Sequence, residues 1–472
     1  MLSRFSIPSA LRQSLVYGLG MAAAKSVSLI MMPIFTHFLE PAEYGRLDIV
    51  QTLADLLSIV IGLGMADTLF RFAGGADNKI EQRAEAANVI GFSVIIGIFA
   101  LLTMQMAAPL VAGLLPGDIT VVQTRLILGT LSMAGINLIL LSWLRMQEKP
   151  GLYLFGSLGR VVIQATAVAI LLWMGMGITG VLVAGLIAAS GLCIGLTLWC
   201  LRTTGISFEL TRYKSYLIYG GPLVLAGMAG FILGSFDRWI LAGVVGPAVM
   251  AEYALAAKMA LITAFVIQPF DLWWLPNRFK ILGQEGGEEK CARAVGIGVT
   301  LAVAAAVGVA IGGPAVIRMV TPESYHGAII YVPWLAVLSA MHAVTIMVNL
   351  GMMSGRTTVR PLLIDGSAAL VAVTGYLTLI PSYGGFGAIA ATALALTGRL
   401  IATYLVSQKV LYIPYRLDRM AMLACLGLAV ISLLPIAEGI IAPMMWAVVS
   451  GGAIMGLSLA MKLLPSPITT AR

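Results

Sequence analysis

Five cations stand within stretches too apolar to be loops: Lys25, Arg160, Arg238, Lys258 and Arg399. A cation at the centre of a membrane helix costs at least ~2.5–3.5 kcal/mol on the insertion scale, so each must face a partner or a water-filled cavity. Acids in comparable stretches are Asp55, Asp67, Asp237, Glu252 and Asp365. Two readings stand side by side. In one, acids and cations neutralise one another, which applies most directly to Arg160, Asp365 and Arg399, all placed toward the inner side. In the other, the cations hold an anion such as a phosphate through charge-assisted hydrogen bonds. Lys25 lies too near mid-span to snorkel easily, and with Lys258 it carries this second reading. Arg238 and Glu252 lie nearer the outer end, where a long side chain reaches water. Asp55 and Asp365 could couple an ion gradient, proton or sodium. His342, alone on an apolar stretch, reads as a packing residue.

Covalent chemistry finds no support. There is no GxxxxGK[ST] phosphate loop, no HExxH, no CxxC pair and no GxSxG in the sequence, and the loops are too short for a catalytic domain. The four cysteines, Cys193, Cys200, Cys291 and Cys425, suggest neither a disulfide nor a metal site. Cys193 and Cys200 are about 10 Å apart along one helix, too far to bridge. No metal, cofactor or catalytic residue is expected, and the chain reads as a non-enzyme.

The elements that must position the charges follow from composition. Hydrophobic residues make up 60% of the 472 positions and charged ones 11%, with mean hydropathy +0.97. Soluble domains carry roughly 25% charged residues, so a water-soluble fold is excluded. Apolar stretches of the ~20 residues needed to cross a bilayer recur throughout. They lie near 14–36, 47–70, 89–112, 126–145, 153–175, 178–200, 216–242, 247–275, 293–317, 327–351, 361–381, 385–408, 420–437 and 441–461, about fourteen transmembrane helices in an all-α polytopic membrane protein. The first reads as a retained helix and not a cleaved signal.

With the N-terminus inside, twenty-one loop cations fall on the inner side, and only Arg46, Arg125 and Arg318 fall outside. This bias predicts that both termini are cytoplasmic. The net charge of +8 is then mostly topology and no footprint for nucleic acid.

The first six spans align with the next six at an offset of about 202–209 residues. GITGVLVAGLIAASG (Gly177 to Gly191) matches GGFGAIAATALALTG (Gly384 to Gly398), Tyr17-Gly18 answers Tyr219-Gly220, and Glu43-Tyr44 answers Glu252-Tyr253. Parallel repeats of this kind predict two lobes about a central site. The expected division is an N-lobe over 1–205, a C-lobe over 206–410 and an appended helix pair over 411–472. Pro33, Gly221-Pro222 and Pro269 mark places where such helices could bend.

From Ser28 to Gly74 the chain reads SLIMMPIFTHFLEPAEYGRLDIVQTLADLLSIVIGLGMADTLFRFAG. With Pro33, the LEPAEYG stretch (Leu39–Gly45) and the closing Gly64, Leu69, Arg71 and Phe72, this resembles the start of the polysaccharide-exporter (Wzx-type) flippases of the multidrug/oligosaccharidyl-lipid/polysaccharide exporter superfamily. The turn LRMQEKPGLYLFGSLGR (Leu144 to Arg160) extends the likeness. The resemblance implies a flippase for an undecaprenyl-diphosphate-linked oligosaccharide, a unit of O-antigen, capsule or exopolysaccharide, in the bacterial cytoplasmic (inner) membrane. It further implies that spans 1, 2, 7 and 8 line the cavity, which carries over onto Lys25, Asp55, Arg238 and Lys258. Lys25, Arg238 and Lys258 would then hold the diphosphate, with Arg160 and Arg399 as inner-side recruiters.

In the similar lipid II flippases, spans 13 and 14 form a groove for the lipid tail, which the uncharged pair here would suit. Membrane lipid, the polysaccharide polymerase and the chain-length machinery are the implied partners, and a monomer is the default. The alternatives are a cation-coupled multidrug antiporter and a lipid II flippase of peptidoglycan synthesis. A membrane-embedded glycan enzyme stands further off because it lacks a catalytic loop.

Overall fold

The computed structural model describes residues 29–62, 64–354, 359–433, 439–461 and 463. Lys25 therefore lies outside the described residues, as do Tyr17-Gly18, Arg4, Arg12, Arg356, Lys462 and Arg472. All regular structure among the described residues is helical.

The first short apolar helix, α1, runs over Leu29–Phe38. Pro41 then opens α2 (Pro41–Gly62), where its fixed φ suits a first turn. Gly64 breaks the next span with a left-handed φ of 60°, so α3 (Met65–Phe72) starts as a separate piece. Asn78 caps α4 (Lys79–Leu114) by accepting from the amides of Ile80 and Glu81, and Thr120 with Gln123 forms a capping box at α5 (Val121–Met146). Then come α6 (Pro150–Trp173), α7 (Gly177–Thr203) and α8 (Leu210–Ser235).

The later part holds α9 (Asp237–Val245), α10 (Pro247–Leu282) and α11 (Gly287–Val320), a 3-10 turn at Glu323–Ile330, α12 (Val332–Met347) and the short α13 (Leu350–Ser354). α14 (Val359–Val410) is two arms broken at Gly384, whose φ of 54° and ψ of −130° are not helical. The Tyr376 and Thr392 hydroxyls meet at 2.8 Å, which shows that the arms fold back on each other. α15 (Leu417–Leu433) and α16 (Ile441–Ala460) complete the chain.

Among the described residues, eleven helical segments are long and apolar enough to cross a membrane, with α14 counted once. Several exceed the apolar stretches seen in the sequence, because a helix continues into water after hydropathy has fallen. α4 begins at Lys79, ten residues before the stretch at 89, and α10 runs on through Pro269 and Pro276 to Leu282.

The chain divides into two compact units, Met1–Phe231 and Ile232–Arg472. The first has a core of Leu69, Ile90, Trp143, Leu196 and Tyr216. A buried polar chain pins the start of α8 to α4 there. The Glu209 amide donates to Asn88 Oδ1 at 2.7 Å, and Asn88 Nδ2 donates to the Tyr216 hydroxyl at 3.1 Å. That hydroxyl in turn donates to Glu85 Oε2 at 3.0 Å, while Arg212 forms an ion pair with Glu85. A carboxylate as buried as Glu85, 8% exposed, requires such partners. Gly91 makes the approach possible, because a Cβ there would stand 1.8 Å from the Ser207 carbonyl oxygen.

The second unit is centred on Trp274, Val295, Met347 and Leu423. α11 buries Gly296, Gly298, Ala302, Ala306, Gly312 and Gly313. Lipid tails are as apolar as leucine, so helices in a bilayer gain by close van der Waals packing, and small residues permit it.

Candidate functional site

Arg399, on the second arm of α14, donates from Nε to Asp365 Oδ1 on the first arm at 2.7 Å. Its Nη1 lies 3.2 Å from His342 Nδ1 on α12. A guanidinium only donates, so that ring nitrogen accepts and the imidazole is neutral with its proton on Nε2. The structure thus joins Arg399 and Asp365, which the sequence offers either as mutually neutralising or as recruiter and coupling acid, into one ion pair, with His342 as a third member.

Asp237 opens α9 and is 6% exposed. Its Oδ2 accepts from the Tyr253 hydroxyl of α10 at 2.5 Å, and its Oδ1 accepts from the Arg238 amide at 2.9 Å. Arg238 and Lys258 are half-buried on α9 and α10, so these two site cations and Asp237 share the second unit. In the first unit Asp55 is exposed on α2, with its carbonyl accepting from the Ser58 hydroxyl at 2.8 Å. Arg160 is half-buried on α6, and its Nε is buried without a hydrogen-bond partner among the described residues. It is a candidate cation with unspent donor capacity.

Sequence reading passed over Asp271, which sits on α10 with a buried Oδ1 that finds no partner among the described residues. It lies inside the apolar stretch at 247–275, four residues before its end. The available signal was the 3.6-residue period, which sets Asp271 on the same side of the helix as the buried Ile267 and Trp274.

The second unit also contains an apolar groove of about 480 Å³ between α11, α12, the second arm of α14 and α15. Val303, Val344, Tyr404, Ala424, Gly427 and Ile431 line it. The expected lipid-tail groove lay between spans 13 and 14; here α15, which overlaps the stretch expected as span 13, forms one wall, while α16 packs on α11.

The family model described as "Polysaccharide biosynthesis protein" matches residues 10–276, more than half of the chain. The chain belongs to the polysaccharide biosynthesis protein family. This agrees with the likeness carried by Leu39–Gly45 and Leu144–Arg160, both within the match. A relative from Haemophilus influenzae, "Lsg locus putative protein 1", is 22% identical over 293 residues, covering 58% of this chain and 67% of the relative.

The fold of this family member is similar to that of lipid II flippase MurJ in an inward closed conformation, with TM-score 0.69, 13% identity, and 95% and 98% of the two chains covered. It is also similar to the MATE multidrug transporter DinF-BH, with TM-score 0.60, 15% identity and coverage of 87% and 97%. At such identities the likeness is one of fold, and fold alone is shared by both alternatives to the exporter reading. The protein is a multi-pass membrane protein of the architecture that flippases and drug transporters use.

Proposed function

We propose that this family member moves an undecaprenyl-diphosphate-linked oligosaccharide from the inner to the outer leaflet by alternating access of two lobes. The observation that carries the reading is the apolar groove on α15, in a chain of a polysaccharide biosynthesis family. A drug-sized molecule needs no such wall, whereas a polyprenyl chain must stay in an apolar medium while its head group crosses.

In this reading Lys25, Arg238 and Lys258 hold the diphosphate, and Arg160, whose Nε–H finds no hydrogen-bond partner among the described residues, recruits it on the inner side. Arg399 and Asp365 act as one switch. Paired, they neutralise each other; parted, the carboxylate meets the coupling ion and the guanidinium a phosphate. Asp55 remains the proposed coupling acid of the first unit. The lobe boundaries at 205 and 410 and the cytoplasmic termini belong to the same proposal.

Deletion of the protein is expected to abolish one surface polysaccharide and to trap its lipid-linked precursor facing the cytoplasm. Precursor accessibility to an added glycosidase in intact spheroplasts measures this. Unchanged surface glycan with raised drug sensitivity would support the antiporter instead.

A further inference from the structure

Where α11 starts and the connection 411–416 enters α15, the second unit holds a further cavity of about 320 Å³, at the end that the charge bias assigns to the cytoplasm. Arg293 and Arg416 line it together with Glu289, over a floor that includes Gly296, Met420 and Leu463. It is a built feature. The Gln408 side chain clamps the connection by bonding both the amide and the carbonyl of Ile413 at 2.9 Å. Burial pushes the Tyr415 phenol above its ordinary range, so it stays neutral. Arg419 donates from Nη1 to the Met461 carbonyl at 2.6 Å, tying the start of α15 to the end of α16.

Met420 lines both this basic cavity and the apolar groove. The two therefore adjoin at Met420, an arrangement that suits a molecule with a charged head and a hydrocarbon chain.

We infer that this cavity binds the headgroup of an anionic glycerophospholipid of the inner leaflet, with Arg293 and Arg416 on its phosphodiester and an acyl chain passing Met420 into the groove. Basic pockets between helices on the cytoplasmic side suit such headgroups, and two guanidinium groups match phosphate oxygens in bidentate fashion. Glu289 sets the choice between lipids. A carboxylate beside the two arginines repels a multiply charged diphosphate, but accepts hydrogen bonds from the hydroxyls of a glycerol headgroup while the phosphodiester carries a single charge.

The site goes beyond the proposed transport and stands whatever the cargo. If the cargo is polyprenyl-linked, its chain and the acyl chain take turns at the inner end of the groove, so the phospholipid regulates loading.

The test uses the full-length protein in detergent without cargo, with retained lipid read by native mass spectrometry and thermal melting alongside. Dioleoyl-phosphatidylglycerol should be retained at least about tenfold over dioleoyl-phosphatidylcholine, a preference of the size expected for two basic groups at an anionic headgroup. The double variant Arg293→Gln, Arg416→Gln should lose that preference, and Arg293→Lys, Arg416→Lys should keep most of it, which separates lost charge from lost folding. Equal retention of the two lipids by the unmodified protein, or a preference that survives in the glutamine variant, would overturn the site. So would tighter retention of undecaprenyl diphosphate than of undecaprenol that the Arg293→Gln, Arg416→Gln variant loses, since with the tail held constant the cavity would then be the cargo's own. Because no cargo is transported in this measurement, its failure and the failure of the flippase reading are distinct results.

Discussion

Replacing Asp365 by Ala should lower the amount of folded protein in the membrane, and adding Arg399→Met should bring it back. Removing one member of a buried pair leaves an uncompensated charge, at a cost of ~3–5 kcal/mol when burial is complete. Here the Arg399 and Asp365 side chains are 14% and 34% exposed, so solvent screening puts the penalty below that range. The double replacement removes both charges together and leaves an apolar contact, which is close to neutral. Quantified membrane protein and a melting curve in detergent measure the level, and complementation of a deletion strain measures export. A folded but transport-dead double variant marks the pair as the switch proposed above. Full export by that variant would reduce the pair to structural neutralisation.

The second large effect belongs to the lysines. Lys258→Ala should abolish export while the protein still inserts, and Lys258→Arg should keep part of it. A diphosphate accepts either cation, though the planar guanidinium makes the exchange imperfect. Lys25→Ala should behave the same way if Lys25 holds cargo. If Lys25 only balances Asp55, the single variant would leave a carboxylate unpaired and lower the protein level, and Lys25→Ala with Asp55→Asn would restore both level and export. Export by that double variant equal to the parent chain would remove Lys25 from the substrate site.

The membrane class and the family were legible in the sequence because each rests on a local signal: runs of apolar residues at bilayer length, and a short distinctive stretch from Leu39 to Gly45. Within the second unit the Arg399–Asp365 pair was half legible. Both residues stood out as charges in apolar stretches toward the inner side, but only the reversal at Gly384 brings two residues 34 apart to 2.7 Å.

Other features were not readable, for stated reasons. The Glu85, Asn88 and Tyr216 chain links residues 128 and 131 apart in a part of α4 that hydropathy assigns to a loop. Asp271 stands four residues before the end of the stretch at 247–275, and it is the continuation of α10 through Pro276 to Leu282 that keeps it away from a helix end. The resemblance implied a groove beside span 13, but not its walls, because the groove on α15 is a gap between four helices and no residue type announces a gap.

Transport of the cargo in a purified system tests the central claim most directly. The full-length protein is reconstituted into vesicles that carry a fluorescent undecaprenyl-diphosphate-linked oligosaccharide in both leaflets, and a membrane-impermeant glycosidase is added outside. The proposed function predicts that cleavage proceeds past the outer-leaflet half toward completion with the protein present, and that the Lys258→Ala variant stops at the half cleaved in empty vesicles. Cleavage halting at that half with the unmodified protein, at a density of several copies per vesicle and with a proton or sodium gradient of either direction applied, would contradict it.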